Sequence, residues 1–260
     1  MTDRTDRRTD QLTEMPTDWT RALAIVAHPD DIEYAAAAAV ATWVDQGKEI
    51  VYLMASRGEA GIDGMDPEQA KPIREREQRA SAAVVGVTEV EFLDHQDGLI
   101  DYGPELRREL AHAVRRHRPD LILTLNHHDH WRGVSWNTPD HRNVGRAALD
   151  AAADAANRYL FPEEGLEPWE GVRWQAVANS PYPTHAVDVT WAVERGVQAV
   201  LAHATYLEAL TDEDPAEYVR GFLGRNLAAA GERFGGRPAV AFEVFHRDPY
   251  RKRNGELHYR

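Results

Sequence analysis

The first sustained apolar run in the chain, residues 22–27 (ALAIVA), ends abruptly in His28-Pro29-Asp30-Asp31. An alanine-rich segment follows at 35–44, so the pattern predicts a buried strand, a tight polar turn and a helix. Residues 49–55 (EIVYLMA) follow Gly47 as a second buried strand and run into the loop Ser56-Arg57-Gly58-Glu59-Ala60-Gly61. Residues 67–85 combine helix formers with many charges and stop at Gly86. A short third strand at 90–93 leads into the polar loop 94–98. In 104–117, Leu106, Leu110 and Val114 recur on one helical face. Residues 120–125 (DLILTL) read as a fourth strand. Residues 139–159 form a helix with Pro139 in its first turn. Further strands are expected at 172–178, 186–189 and 239–245, and helices at 191–210 and 215–230.

This alternation of strands and helices indicates a Rossmann-like α/β fold, a mostly parallel sheet with helices on both faces. No repeat or interdomain linker interrupts it. The expectation is one domain over 19–260 after a disordered tail at 1–18, which is rich in Thr, Asp and Arg. At 260 residues the chain is long enough for a full core.

Composition narrows the function. Lys plus Arg number 30 against 43 Asp plus Glu, a net charge of −13, which argues against a general nucleic-acid binder or docking on anionic lipid. No apolar run spans a bilayer, and residues 1–18 lack the apolar core of a signal peptide. Cysteine is absent, which removes disulfides, thiolate metal sites and a thiol nucleophile, and fits a cytoplasmic protein.

The candidate chemistry sits in the first turn. Ligands of open α/β sheets bind at the carboxyl ends of strands, and there His28, Asp30 and Asp31 fall together. Imidazole and carboxylate are zinc ligands, but two do not complete a site. Helix capping by Asp30 or Asp31, with His28 as a plain polar residue, accounts for the same letters. A third ligand has to come from elsewhere. His127, His128, His130 and His141 lie in or just after the loop that follows the fourth strand, which parallel topology brings to the same edge. His141 is the strongest of these, because the first turn of a helix fixes its direction. Two histidines and a carboxylate leave a tetrahedral zinc open to water.

Taken together, the strand ending in His28-Pro29-Asp30-Asp31, Ser56-Arg57-Gly58-Glu59, Arg74-x-x-Glu77 and Pro139-Asp140-His141 resemble the PIG-L/LmbE family over about residues 20–160. Thr184-His185-Ala186-Val187-Asp188-Val189-Thr190 is also similar to that family. The resemblance implies a metal-dependent deacetylase of N-acetylglucosaminides or a related amidase. It implies zinc, with ferrous iron as the alternative, on His28, Asp31 and His141, and Asp30 as general base. It also implies that Arg74 and Asp97 bind sugar hydroxyls. On the residues alone, Arg74 equally fits an ion pair with Glu75 or Glu77, and Asp97 fits a turn before Gly98.

One departure matters. The family's second motif usually begins with a histidine that stabilises or protonates the tetrahedral intermediate, and here that position is Thr138. Threonine donates a hydrogen bond but supplies no cation near neutral pH. His185 is the first candidate to take over the role and is otherwise a surface histidine in a proline-containing loop. His127 and His130 come next. The expected partner is a small amino-sugar substrate, not nucleic acid or membrane, and a homo-oligomer is compatible with the sequence. The alternatives are a non-catalytic or altered-activity sugar- or metal-binding member of the fold, and a dinucleotide-dependent oxidoreductase. The second lacks the Gly-x-Gly-x-x-Gly fingerprint after the first strand.

Overall fold

The computed structural model describes residues 11–131 and 135–247. Its centre is a run of parallel strands: β2 (Arg21–Val26), β3 (Glu49–Met54), β4 (Glu89–Phe92), β5 (Leu121–Leu125) and β8 (Trp174–Ala178). With β1 (Thr13–Glu14), β9 (His185–Asp188) and β10 (Ala239–His246) they form an eight-stranded sheet in the order β1-β9-β10-β8-β5-β2-β3-β4. Only β10 runs antiparallel to its neighbours. A separate hairpin pairs β6 (His130–Trp131) with β7 (Ser135–Trp136).

The apolar runs are continuous because both sheet faces are covered. In β2, Ala22, Ala24 and Val26 enter one core while Leu23 and Ile25 enter the other. The first core also holds α1 (Asp31–Asp45) and parts of α2 (Pro67–Val84), α5 (Val193–Leu201) and α7 (Pro215–Glu232). The second holds α3 (Pro104–His117) and α4 (Pro139–Ala156). Alanines along α1 and α4 let both helices lie close to the sheet. At Gly145 in α4 a Cβ would fall 2.7 Å from His127 Cβ and 3.0 Å from the Leu125 carbonyl, so the helix backbone touches the end of β5. That contact seats the first turn of α4 over the strand ends.

The sheet has its switch point between β2 and β5. From β2 the chain passes to β3 and β4 on one side, and β5 and β8 lie on the other. The turns leaving β2 and β5 therefore diverge and leave a crevice at their carboxyl ends.

Three expectations change. Residues 11–18 are not a free tail: β1 pairs in parallel with β9, Leu12 and Met15 are buried, and Trp19 packs edge-on to Trp43 at 5.3 Å. Apolar residues at 12, 15 and 19 give this segment the burial that its polar neighbours conceal. Residues 1–10 lie outside the described residues. The helix expected over 191–210 is broken: α5 ends at Leu201, and α6 (Ala204–Leu210) starts after a turn at the fully buried His203. Part of the loop expected after the fourth strand is the β6–β7 hairpin. No helix among the described residues is long and apolar enough to cross a membrane.

The Gly145→Ala variant tests the contact between α4 and β5. Alanine improves helix propensity by about 1 kcal/mol, but overpacking of this kind typically costs about 1–3 kcal/mol. The expected net result is a lower urea midpoint with an unchanged slope. A raised midpoint would show that α4 does not press on β5.

Candidate metal centre and catalytic cleft

Asp31 is the first residue of α1, where the positive end of the helix dipole favours a carboxylate. Its Oδ2 accepts from the backbone N–H groups of Ala27 (3.1 Å) and His28 (3.0 Å), folding the turn back over the helix start. Its Oδ1 lies 3.1 Å from Nε2 of His141, in the first turn of α4. The rings of His28 and His141 are 5.1 Å apart. The ligand atoms of His28, Asp31 and His141 lie within 4.8 Å of one another, close enough to share an ion. The crevice at the switch point thus brings together the three residues expected from the sequence.

The surroundings of each ring decide which nitrogen is free. His28 Nε2 sits 3.2 Å from Asp140 Oδ2 and 3.0 Å from Asp97 Oδ1. Asp140 also accepts from the N–H groups of Gly98 (2.8 Å) and Ile100 (3.2 Å), so it is a fixed acceptor. These acceptors keep a proton on His28 Nε2, which makes Nδ1 the nitrogen that a metal ion would take in place of a second proton. At His141 the fixing group is Asn137. Its Nδ2 donates to the carbonyls of Asn126 (2.8 Å) and His128 (3.0 Å), which turns Oδ1 toward His141 Nδ1 at 3.1 Å. Nε2 of His141 is then the nitrogen turned toward Asp31, where a metal ion would take it. Metal-binding histidines characteristically donate their other N–H to a carboxylate or carbonyl oxygen. The donor set fits a divalent cation that takes nitrogen and oxygen ligands.

Titration behaviour reflects the same packing. Burial disfavours the cation at His28, but Asp140, Asp31 and Asp97 outweigh it and raise its pKa well above the usual value. Asp31 is buried too, yet His141 and His28 hold its pKa well below the carboxylate range. Asp30 goes the other way: burial raises its pKa in spite of Arg74.

Asp30 precedes α1 with φ of 81°, a left-handed conformation uncommon for a side chain of this kind. The carboxylate is held by Arg74, whose Nη2 donates to Asp30 Oδ2 (3.0 Å) and to the Pro29 carbonyl (2.9 Å). The guanidinium stacks 4.0 Å from the ring of Tyr206 in α6. Asp30, Asp31 and His141 open onto a cleft of about 560 Å³. Tyr34, Trp131, Asn179, Phe222 and Asn226 also line it.

The remaining expectations fare differently. Arg74 is not among the described residues lining the cleft, and its ion pair is with Asp30 rather than Glu75 or Glu77; it is 2% exposed. Asp97 orients His28, and its Oδ2 accepts from Ala60 N–H (2.8 Å), so its oxygens are engaged within the protein. Thr138 is an exposed residue at the start of α4 and is not among the described residues lining the cleft. His185 does not reach the site. It starts β9, three strands from β5 across the sheet, and its Nδ1 meets Thr184 Oγ1 at 2.8 Å. The loop histidines are no substitute. Burial and neighbouring His128 pull His127 down to about 4, so it is neutral near pH 7. His128 is bound by Glu243 at 2.7 Å, and His130 lies in a different pocket, beside Tyr182.

Sequence reasoning missed Asn137 and the role of Asp140, whose spacing from His141 is visible but whose partners come from distant loops. It also missed the cleft wall, which is assembled from helices and strand ends far apart in the chain.

A family model described as PIG-L: GlcNAc-PI de-N-acetylase matches residues 23–152, half of the chain, and ends on the helix that carries His141. The chain belongs to the PIG-L family. It is 27% identical over 188 residues to the diacetylchitobiose deacetylase of Thermococcus kodakarensis, covering 70% of this chain and 68% of that protein. It is 26% identical over 196 residues to a 1D-myo-inositol 2-acetamido-2-deoxy-alpha-D-glucopyranoside deacetylase of Kineococcus radiotolerans, covering 63% of this chain but 53% of the relative. The fold matches the N,N'-diacetylchitobiose deacetylase of Pyrococcus horikoshii with a TM-score of 0.79 at 23% identity, over 88% of this chain and 85% of that one. It also matches GalB, the 4-carboxy-2-hydroxymuconate hydratase of Pseudomonas putida KT2440, with a TM-score of 0.70 at 21% identity, over 88% of this chain and 98% of that one. A deacetylase and a hydratase on one fold mean that the reaction has to be argued from the site.

Replacing Asp140 with Asn tests the assignment of His28. The variant should bind a divalent cation about 10–100-fold more weakly, as loss of such an orienting carboxylate typically does. Titration calorimetry would read this directly. Unchanged affinity would show that Asp140 does not set the ring.

Proposed function

We propose that this PIG-L family protein is a metal-dependent N-deacetylase, with zinc held by His28, Asp31 and His141. Its substrate would be an N-acetylated amino sugar or a conjugate of one. The observation that carries the reading is Asp30: a buried carboxylate, clamped by Arg74, opening onto the same cleft as the ligand candidates Asp31 and His141. A site that merely binds sugar needs no such group. The substrate class is supported by relatives named for deacetylating diacetylchitobiose and a 2-acetamido-2-deoxyglucopyranoside of myo-inositol.

The cation, when bound, acts as a Lewis acid toward the amide carbonyl and makes water more acidic. The chain's own residues do the rest. Asp30 accepts a proton from the attacking water, whose oxygen joins the acyl carbon. The C–N bond breaks, the nitrogen takes a proton, and acetate and a free amine leave. Thr138 cannot supply that last proton, and neither His127 nor His185 stands in its place. Asp30 returns the proton it took, a role suited to a carboxyl whose burial stabilises the protonated form. The two-ended use of Asp30 explains how a chain with threonine in the family's histidine position retains the rest of the site.

Two measurements test the reading. Asp30→Asn should keep the metal but lose about 10²–10⁴-fold in turnover, the usual worth of general acid–base catalysis. Amine release from N-acetylglucosamine conjugates should stop after chelation and return when zinc is added back. An Asp30→Asn enzyme that works at the wild-type rate, or a chelated enzyme that does, would refute it.

A further inference from the structure

α2 packs a face that is polar where a helix normally buries apolar residues. Arg74, Glu77, Gln78 and Ser81 recur at helical spacing, and all four are buried. Such a stripe is unfavourable unless each group has a partner. The partners lie behind Asp30. Gln78 Oε1 accepts from the backbone N–H of Asp30 at 2.9 Å. At the other end of the amide, Gln78 Nε2 donates to Glu33 Oε1 at 2.9 Å, and Ser81 Oγ donates to the same oxygen at 2.9 Å. Gln78 and Ser81 are fully buried, and Glu33 is 1% exposed.

We propose that Gln78, oriented by Glu33, is a positioning residue for the base: it locks the backbone of Asp30 in the left-handed conformation that points its carboxylate into the cleft. The base role itself rests on the deacetylase reading above. Three features support the proposal. First, the Asp30 N–H precedes the helix and is buried, so it has no intrahelical acceptor and needs one from elsewhere. Second, Gln78 has only one useful orientation, because the Glu33 oxygen is already an acceptor for Ser81 and claims the Nε2 end; Oε1 is left for Asp30. Third, Arg74 and Gln78 lie one helical turn apart on α2. One fixes the Pro29 carbonyl and the Asp30 carboxylate, and the other fixes the Asp30 N–H. Two anchors on one rigid helix set both the position and the direction of the reacting oxygen.

The anchoring extends to the helix beyond. Glu77 Oε1 accepts from Thr205 N–H in α6 at 2.6 Å, and α6 presents Tyr206 to the Arg74 guanidinium. His203, at the break before α6, places its Nε2 3.8 Å from Glu33 Oε2. The break between α5 and α6 thus lets one short helix brace the same polar face.

The test uses the full-length, zinc-loaded protein and Gln78→Met, which keeps the length but removes the amide. kcat for amine release should fall about 10–100-fold, as a misplaced catalytic group does, with KM within twofold and metal content unchanged. In an Asp30→Asn background the same change should cause no further loss, because Gln78 acts through Asp30. Glu33→Gln should give a smaller loss with the same dependence on Asp30, and it serves if Gln78→Met folds poorly. Hydrogen exchange at the Asp30 amide, which requires no turnover, should accelerate in Gln78→Met while amides in the middle of α1 stay protected. An unchanged kcat, an equal loss in the Asp30→Asn background, or unchanged exchange at Asp30 overturns the proposal. If the wild-type protein releases no amine from any N-acetyl amino sugar, the deacetylase reading fails instead, and the exchange measurement alone decides whether Gln78 holds the turn.

Discussion

Asp31 ties the structure of the site together because its two oxygens face different ways. One closes the turn onto Ala27 and His28; the other faces His141 across the switch point. The first contact ends β2 in a compact polar turn and starts α1. The second joins that turn to α4, which reaches the same edge only because Gly145 lets its backbone rest on β5. A divalent cation would bridge what these contacts bring together: an ionised carboxylate and the two imidazole nitrogens that face it, His28 Nδ1 and His141 Nε2. His28 and His141 owe that orientation to residues behind them, Asp140 and Asn137, whose own partners are backbone groups and therefore cannot rotate away.

A second layer of polar packing lies on the α2 side. Burying Arg74, Glu77, Gln78, Ser81 and Glu33 in one region is unfavourable in isolation, and atoms such as Arg74 Nε and Glu33 Oε2 have no hydrogen-bond partner there. The fold tolerates this because the group does something an apolar interface cannot: it holds Asp30 in a backbone conformation that side chains seldom adopt. Local strain at a turn that carries the reacting carboxylate is the usual place for such an expense. The cleft in front contrasts with it. Trp131 and Phe222 present rings, while Asn179 and Asn226 present amides, a mixture suited to an amino-sugar ring with apolar faces and polar edges.

Much of this was legible in the sequence, for physical reasons that differ from element to element. β2, β3 and β5 announce themselves because a parallel strand covered on both faces is apolar along most of its length. His28, Asp31 and His141 were legible because a strand end and the first turn of a helix fix direction, and topology places them side by side. His185 was misjudged for the converse reason. Its motif-like setting says nothing about the distance across a sheet, and β9 lies beyond β10 and β8. The burial of one face of α2 could not be read, since charged residues at helical spacing look the same whether they face water or a buried carboxylate. Nor does anything local reveal that residues 11–19 lie down along the sheet edge and core. The pairing of β1 with β9 joins residues about 170 positions apart.

The proposed cation binds His28 at Nδ1, on the side of Asp31 and His141. The alternative geometry on the same residue is the Nε2 side, where Asp97 and Asp140 also approach within reach of a shared ion. Anomalous diffraction at the zinc edge from crystals of the zinc-loaded protein distinguishes the two. One peak is expected, bonded to His28 Nδ1, Asp31 and His141 Nε2 and open toward Asp30 and the cleft. A peak among His28 Nε2, Asp97 and Asp140, or no peak at His28 in protein that turns over substrate, would contradict it.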